Sequence, residues 1–496
     1  MKILLVYPQF PDTFWSFKHA LAFVRKKAAN PPLGLITIAA MLPGDWQCKL
    51  VDMNVSSLRD EDLEWADFVF ISAMTIQRNS VRAVIERCNQ VGVKVVAGGP
   101  LFSAEWQDFS GVDHFILNEA EITLPPFLND LKNGRAEPVY QTGDYADLTE
   151  TPLPMFELLD MHRYDSMSIQ FTRGCPFNCD FCNITTMLGH RVRTKTGEQI
   201  LAELDRLYQL GWRRGIFFVD DNFIGNKKIL KTEILPALIE WRKGKRGYTF
   251  ITEASINLAD DVELMEMMVQ AGFNSVFVGI ETTNEESLVE CHKLQNKGRN
   301  LVESVRTLQH FGLQVMGGFI VGFDNDTPSI FQKQIEFIQN SGIVTAMVGL
   351  LQAPFGTELY HRLQKEDRLR EEISGDNVDG STNIIPRMDL QVLKDGYSQM
   401  MMKIYSPNLF YERIRNFLRE YNPGGATSHL EWAELEAFFK SMYLLGVRGK
   451  ERIYYWRLIL WTLFRFPRKI QLAITLSIYG YHFRKVSEAV QVSTTS

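Results

Sequence analysis

Twice along this chain, short apolar runs alternate with amphipathic helical stretches, and the second series starts only after a proline-rich break. The first series has apolar runs at residues 2–8 (KILLVYP), 48–54 (CKLVDMN), 67–74 (DFVFISAM), 94–100 (KVVAGGP) and 113–118 (DHFILN). Helical patterns at 31–43, 78–92 and 124–134 lie between them. Strands alternating with helices predict a parallel sheet with right-handed crossovers. Such a sheet binds ligands at the carboxyl ends of its strands. One strand ends in Gly98-Gly99-Pro100, a turn where a ligand would approach the backbone closely. This first α/β unit covers residues 1–140. Residues 141–165 read as a linker: Pro138 stands just before it, and Pro152 and Pro154 interrupt any regular element within it. The rhythm restarts over 166–360, with apolar runs at 166–173, 215–221, 249–255, 275–281, 314–323 and 346–354. Six such units predict a partial (β/α)6 barrel, with its chemistry at the C-terminal ends of the strands. Residues 361–496 read as mostly helical: 390–421 has a helical period, and Pro423-Gly424-Gly425 marks a break.

Two α/β units need ample apolar material, and 45% hydrophobic with 23% charged residues supplies it. That balance excludes a disordered or fibrous chain. A net charge of −6 argues against nucleic acid as a partner by bulk electrostatics. Three of the six cysteines fall within eight residues and Cys48, Cys88 and Cys291 are scattered, which is not a secreted disulfide framework and fits a reducing cytoplasm. Cys48 and Cys88 read as core residues, whereas Cys291 is placed to face a barrel cavity. Residues 1–8 are too short for a secretory signal. No stretch has the ~18 uninterrupted apolar residues of a membrane span.

Cys175-Pro176-Phe177-Asn178-Cys179-Asp180-Phe181-Cys182 follows a barrel strand directly. Thiolates are the ligands of iron–sulfur clusters. Three on one loop can hold three irons of a [4Fe-4S] cluster and leave the fourth open to a small molecule. The competing reading is zinc, with His190 near enough in sequence to be a fourth ligand.

CxxxCxxC with an aromatic before its last cysteine, at the end of a first barrel strand, resembles the radical S-adenosylmethionine (SAM) superfamily. The resemblance implies that the open iron chelates the amino and carboxylate groups of SAM, whose reductive cleavage yields a 5′-deoxyadenosyl radical. It assigns SAM contacts to Phe181 and to the successive strand ends: Asp220 and Asp221, Glu253, Glu281, Gly317 and Gly318, and Gln352. Taken singly, Asp220 and Asp221 also read as helix caps and Glu281 as a surface carboxylate. A flavodoxin-like (Rossmann-type) domain ahead of such a barrel resembles the cobalamin-binding subclass, in the group that includes the hopanoid C-2 methylase. The place of the subclass's DxHxxG motif reads Asp52-Met53-Asn54-Val55-Ser56-Ser57, so a histidine ligand to cobalt is missing. Asn54, Ser72, Thr75, Gly98, Gly99, Asn118 and Glu119 are then the expected cobalamin contacts; a flavodoxin-like domain that binds nothing is the bland alternative.

The resemblance implies a cobalamin-dependent C-methyltransferase. One SAM methylates reduced cobalamin, a second supplies the radical, and an external donor of flavodoxin or ferredoxin type supplies electrons. The alternatives are a non-methylating radical SAM oxidoreductase or cyclase, and a sensor that uses cobalamin or the cluster as a switch. Residues 440–485 hold ten basic residues and one acid, Glu451, interleaved with Tyr454, Tyr455, Trp456, Trp461, Phe464, Phe466 and the run LAITLSIYGYHF (472–483). This mixture suits peripheral contact with the anionic inner face of a membrane. The other reading is a helical cap with a solvated basic face. A hydrophobic, lipid-like substrate agrees with the first.

Overall fold

In a computed structural model, residues 1–370, 373–423 and 432–495 are described. Gly424 and Gly425 of the expected break lie outside them. The described residues form two six-stranded parallel sheets and one two-stranded ribbon.

The first sheet has the strands β1 Lys2–Tyr7, β2 Gln47–Asp52, β3 Phe68–Ser72, β4 Lys94–Gly98, β5 His114–Ile116 and β6 Val139–Tyr140, in the order β2-β1-β3-β4-β5-β6. Five of these follow the doubly wound, flavodoxin-like order. Ile3, Leu4, Leu5 and Val6 are wholly buried because helices cover both faces of the central strand β1. The sixth strand was not expected. Val139 and Tyr140 lie beside Pro138 and extend the sheet in parallel from Phe115 and Ile116, so the domain closes where the linker begins.

The ribbon and the second sheet follow as β7 Met167–Ile169, β8 Thr172–Arg173, β9 Arg193–Thr194, β10 Ile216–Phe218, β11 Phe250–Glu253, β12 Phe273–Glu281, β13 Gln314–Val321 and β14 Ala346–Leu350. Strands β7, β10, β11, β12, β13 and β14 are neighbours in sequence order and all parallel. This is a six-stranded barrel left open between β7 and β14. The expected run 166–173 is divided, because β8 leaves the sheet to pair with β9.

The C-terminal helices Leu390–Ile404, Pro407–Glu420 and Arg452–Arg465, with the long helix Ile470–Thr495, cover the side of the barrel near β14. The hydroxyl of Tyr397 donates to the carbonyl of Val348, and that of Tyr405 to Ala346. The run 472–483 does not face outward. Ala473, Leu476 and Phe483 are fully buried, and Phe483 stacks on Phe14 at 4.3 Å. An apolar helical stripe reads the same whether protein or lipid covers it.

His482 ties this last helix to the N-terminal segment through a hydrogen bond from Nε2 to the Phe14 carbonyl, 2.9 Å. Burial lowers its pKa from 6.5 to about 4, against the Phe14 hydrogen bond. The unfolded chain therefore takes up the proton first, and stability falls as pH drops through the window from about 6.5 to 4. Between pH 6.5 and 5 the expected loss from this group is roughly 1–2 kcal/mol. Thermal melts of wild type and His482→Gln should converge as pH falls; parallel pH profiles would refute this role.

Candidate active site

The cysteine loop leaves the barrel at β8 and returns at β9. Gly174 opens it with φ +91°, and a Cβ there would lie 2.6 Å from the Arg191 carbonyl, so only glycine fits. The Cys175 amide donates to the Gly189 carbonyl (3.2 Å) and that of Cys182 to the Cys179 carbonyl (3.1 Å), which folds the loop back on itself. All three thiols are half-buried. Burial pushes each one up, Cys182 to about 12, so metal binding must expel protons. The Gln295 amide points at the Cys179 sulfur from 3.9 Å.

Among the described residues no three His, Cys, Asp or Glu side chains converge as a single-ion site requires, and His190 is exposed. Three thiolates that each bind a different iron of a cubane do not meet at one point. This donor set, carried by one loop, therefore fits a cluster better than it fits zinc.

Acidic strand ends gather beside the loop. Burial raises Asp221 to about 6, with Arg173 opposing. Burial first, then the charges of Asp221 and Asp220, push Glu253 to about 8. Neighbouring carboxylates whose charges oppose one another form a receptor for a cation, and SAM carries an ammonium group. Glu281 is buried and ion-paired with Lys293 at 2.7 Å. Phe181 packs edge-on against Phe323 at 6.3 Å.

Other expected SAM contacts are engaged elsewhere. Asp220 is wholly buried and accepts the backbone amides of Phe171 and Thr172, so it braces the start of the cysteine loop instead. Gln352 donates to the carbonyls of Asp376 and Ser381. Gly317 faces the covering helices, where a Cβ would meet Ile343, whereas Gly318 lies under the ring of Phe277.

A cavity of about 500 Å³ lies between the carboxyl ends of the two sheets. Ser72, Gly98, Gly99, Asn118 and Glu119 line one wall, and Gln170, Arg173 and Val219 line the other. Both glycines line the cavity where a side chain would collide with the protein behind it. A Cβ at Gly98 would meet the Ile116 carbonyl at 2.6 Å, and one at Gly99 the Ser72 hydroxyl at 2.5 Å. Two expected cobalamin contacts are not in this wall. Asn54 accepts the Phe10 amide (2.8 Å) and donates to Asp52 (2.8 Å), so its side chain serves its own loop. Thr75 starts a short turn packed against Gly375. Glu119 is buried at the cavity edge and salt-bridged to Arg193 at 2.6 Å, while Glu121 grips Arg173 at 2.8 and 3.0 Å. These pairs join the two domains at the cysteine loop. The cavity has the position and mixed lining that a large cofactor needs, and among the described residues no histidine lines it.

The barrel lumen is open. On β12, β13 and β14 the residues facing the helices, Val276, Val278, Val315, Phe319 and Val348, are at most 1% exposed. Their lumen-facing neighbours Phe277, Met316 and Met347 are partly accessible. Trp15 from the N-terminal domain reaches this wall. Its indole N–H meets the Met347 sulfur at 2.9 Å, and its ring lies edge-on to Phe277 at 5.4 Å. Sequence reasoning missed Trp15, Lys293, Arg173 and Arg193. Arg173 at least had a signal, its place immediately before the cysteine loop. Cys291 is buried in an apolar cluster with Phe323 and Leu351 instead of facing the cavity.

A nucleotide-fold domain facing an open barrel whose first loop holds three cysteines defines a cobalamin-binding radical SAM protein. Family models match in the same order: the B12 binding domain over 25–128, the radical SAM superfamily over 169–338, and a domain of unknown function (DUF4070) over 357–496. An uncharacterised methyltransferase of Synechocystis is 40% identical, covering 99% of this chain and 93% of its own length. The hopanoid C-2 methylase of Rhodopseudomonas palustris is 33% identical over 94% of this chain and 90% of its own. The chain belongs to this family of cobalamin-dependent radical SAM methyltransferases. Its fold is similar to that of the cobalamin-dependent SAM radical enzyme OxsB (TM-score 0.62, 14% identity, 99% of this chain and 80% of that one). It is also similar to the methyltransferase TsrM of Kitasatospora setae (TM-score 0.56, 14% identity, 75% and 77%).

Proposed function

We propose that this enzyme methylates a carbon atom of a hydrophobic, lipid-like molecule and works as a cytoplasmic protein in peripheral contact with a membrane. The observation that carries the reading is the lumen: Trp15 packs on Met347 and Phe277, and with Met316 these partly accessible side chains give the barrel interior an apolar lining. An apolar acceptor would sit there shielded from water.

When bound, the cluster with SAM supplies a hydrogen-abstracting radical, and cobalamin supplies the methyl group. The chain's own residues do the rest. Cys175, Cys179 and Cys182 hold the cluster. Asp221 and Glu253 receive the SAM ammonium. Ser72, Gly98, Gly99 and Asn118 form the cradle for cobalamin. The electron donor is of flavodoxin or ferredoxin type.

No helix among the described residues is long and apolar enough to cross a membrane. The outer face of the C-terminal helices supports peripheral contact. Phe439, Tyr443, Val447, Ile453, Leu460 and Phe464 are all at least half exposed, and Phe464 reaches 82%. Arg448, Lys450, Arg452, Arg457, Arg465 and Arg468 are exposed around them. Arg484, by contrast, is spent on Glu451. The hopanoid C-2 and C-3 methylases among the relatives agree with an acceptor drawn from lipid.

The test presents polycyclic hydrocarbon acceptors in anionic vesicles to the reconstituted enzyme, with methyl-labelled SAM, cobalamin and reductant. Label is expected in the acceptor, together with S-adenosylhomocysteine and 5′-deoxyadenosine. Label entering only water-soluble acceptors would overturn the substrate class. The protein should sediment with the vesicles, less so at high salt and not at all as Leu460→Asp/Phe464→Asp. Full recovery in the supernatant at low salt would remove the membrane placement and leave methyl transfer standing.

A further inference from the structure

Lys293 sits inside the barrel, over Gly279. Its Nζ donates to Glu281 Oε1 at 2.7 Å, and the two side chains are only 13% and 9% exposed. Gly279 has no room for a side chain, because a Cβ there would lie 2.8 Å from the ammonium and against the Glu281 carboxylate. Glu281 holds φ +62°, a left-handed conformation rare outside glycine. A buried ion pair on a strained backbone is weak evidence for stability, so its surroundings decide what it does.

Those surroundings are the metal loop. The chain carrying Lys293 is tied to that loop on both flanks. The Asp180 amide donates to the Cys291 carbonyl at 3.2 Å, and Gln295 reaches the Cys179 sulfur from 3.9 Å. Burial disfavours the ammonium, but Glu281, Cys179 and Cys182 outweigh burial and hold it protonated. Cys175 and Glu253 lie within its field as well. Lys293 is thus a largely buried cation facing three half-buried thiols and two carboxylates.

We propose that Lys293 is a positioning charge for the metal centre, a buried cation that stabilises the reduced cluster, with Glu281 holding it in place and partly offsetting it. This rests on the assignment of a cluster to the three cysteines and not on the substrate. Reduction transfers one electron from an external one-electron donor to the cluster; no bond forms or breaks at Lys293, and no proton moves. The cluster gains one negative charge, and a nearby cation in a low-dielectric site favours the more negative state.

The test is an anaerobic redox titration of the reconstituted full-length protein with dithionite, followed by EPR of the reduced cluster. Iron, sulfide and thermal melts serve as controls. Lys293→Met should shift the midpoint to more negative potential, Lys293→Arg should stay near wild type, and Glu281→Gln should shift it the opposite way. If Lys293→Met does not assemble a cluster, Glu281→Gln alone decides, since it keeps the lysine. An unchanged midpoint at equal cluster content, or shifts of the same sign in Lys293→Met and Glu281→Gln, overturns the proposal. Loss of the metal centre in wild type would instead remove the cluster assignment on which it rests.

Discussion

Replacing Cys175, Cys179 and Cys182 together by alanine is expected to cut reductive formation of 5′-deoxyadenosine from SAM by about three orders of magnitude or more, because the cofactor and not the polypeptide carries that chemistry. The variant should fold. The loop is held by the backbone bonds of Cys175 and Cys182, by the β8–β9 ribbon, and by the Asp220 carboxylate on Phe171 and Thr172. None of these uses a sulfur atom. Mass spectrometry of anaerobic turnovers, with iron and sulfide analysis of each preparation, checks the prediction. Undiminished 5′-deoxyadenosine from a protein free of iron would refute it. Zinc in wild type with no sulfide would restore the reading that His190's exposure argues against.

The second large effect concerns the seam between the domains. Glu119 is 3% exposed, and its carboxylate binds Arg193 at 2.6 and 2.7 Å and the Ala146 amide at 2.8 Å. Arg173 lies 3.6 Å away. Glu119→Ala strands the largely buried guanidinium of Arg193, while Arg173 keeps Glu121, and breaking a buried pair in this way costs about 3–5 kcal/mol. Because the pair joins the domains, the loss should fall on their docking. Calorimetry should show the single unfolding transition dividing in two. Methyl transfer should fail while 5′-deoxyadenosine is still made, since the cluster loop keeps its own supports. A double variant, Glu119→Gln/Arg193→Met, should recover much of the stability by removing both charges. If Glu119→Ala melts within about 0.5 kcal/mol of wild type, the seam is an ordinary surface contact.

Fold class, the order of the domains and the metal loop were legible in the sequence because their signals are local. A βα unit shows its two periods within ~30 residues, and three cysteines that share a cluster lie on one loop. Short elements were less legible. Val139–Tyr140 is too brief, beside a proline, to show a period. The β8–β9 ribbon pairs two-residue segments that look like the end of a strand. The residues expected around SAM and cobalamin divide along the same line. Position at a strand end was readable; the direction of the side chain was not. Asp220 and Asp221 are adjacent and both act on Glu253, yet only Asp220 braces the backbone of Phe171 and Thr172. Asn54 occupies a motif position and serves its own loop. Glu119 was expected at a cofactor; it lines the cavity and also binds an arginine 74 residues on.

The sequence by itself determined that this chain builds two parallel α/β units and places three thiols at the mouth of the second. Only the tertiary structure decided that Trp15 walls the lumen against Met347, 332 residues away, and that the cation beside the thiols is Lys293. The physical reason is range. Periodicity and loop spacing are written along the chain. An ion pair between any of 53 basic and 59 acidic residues leaves no mark there until folding excludes water from a particular few.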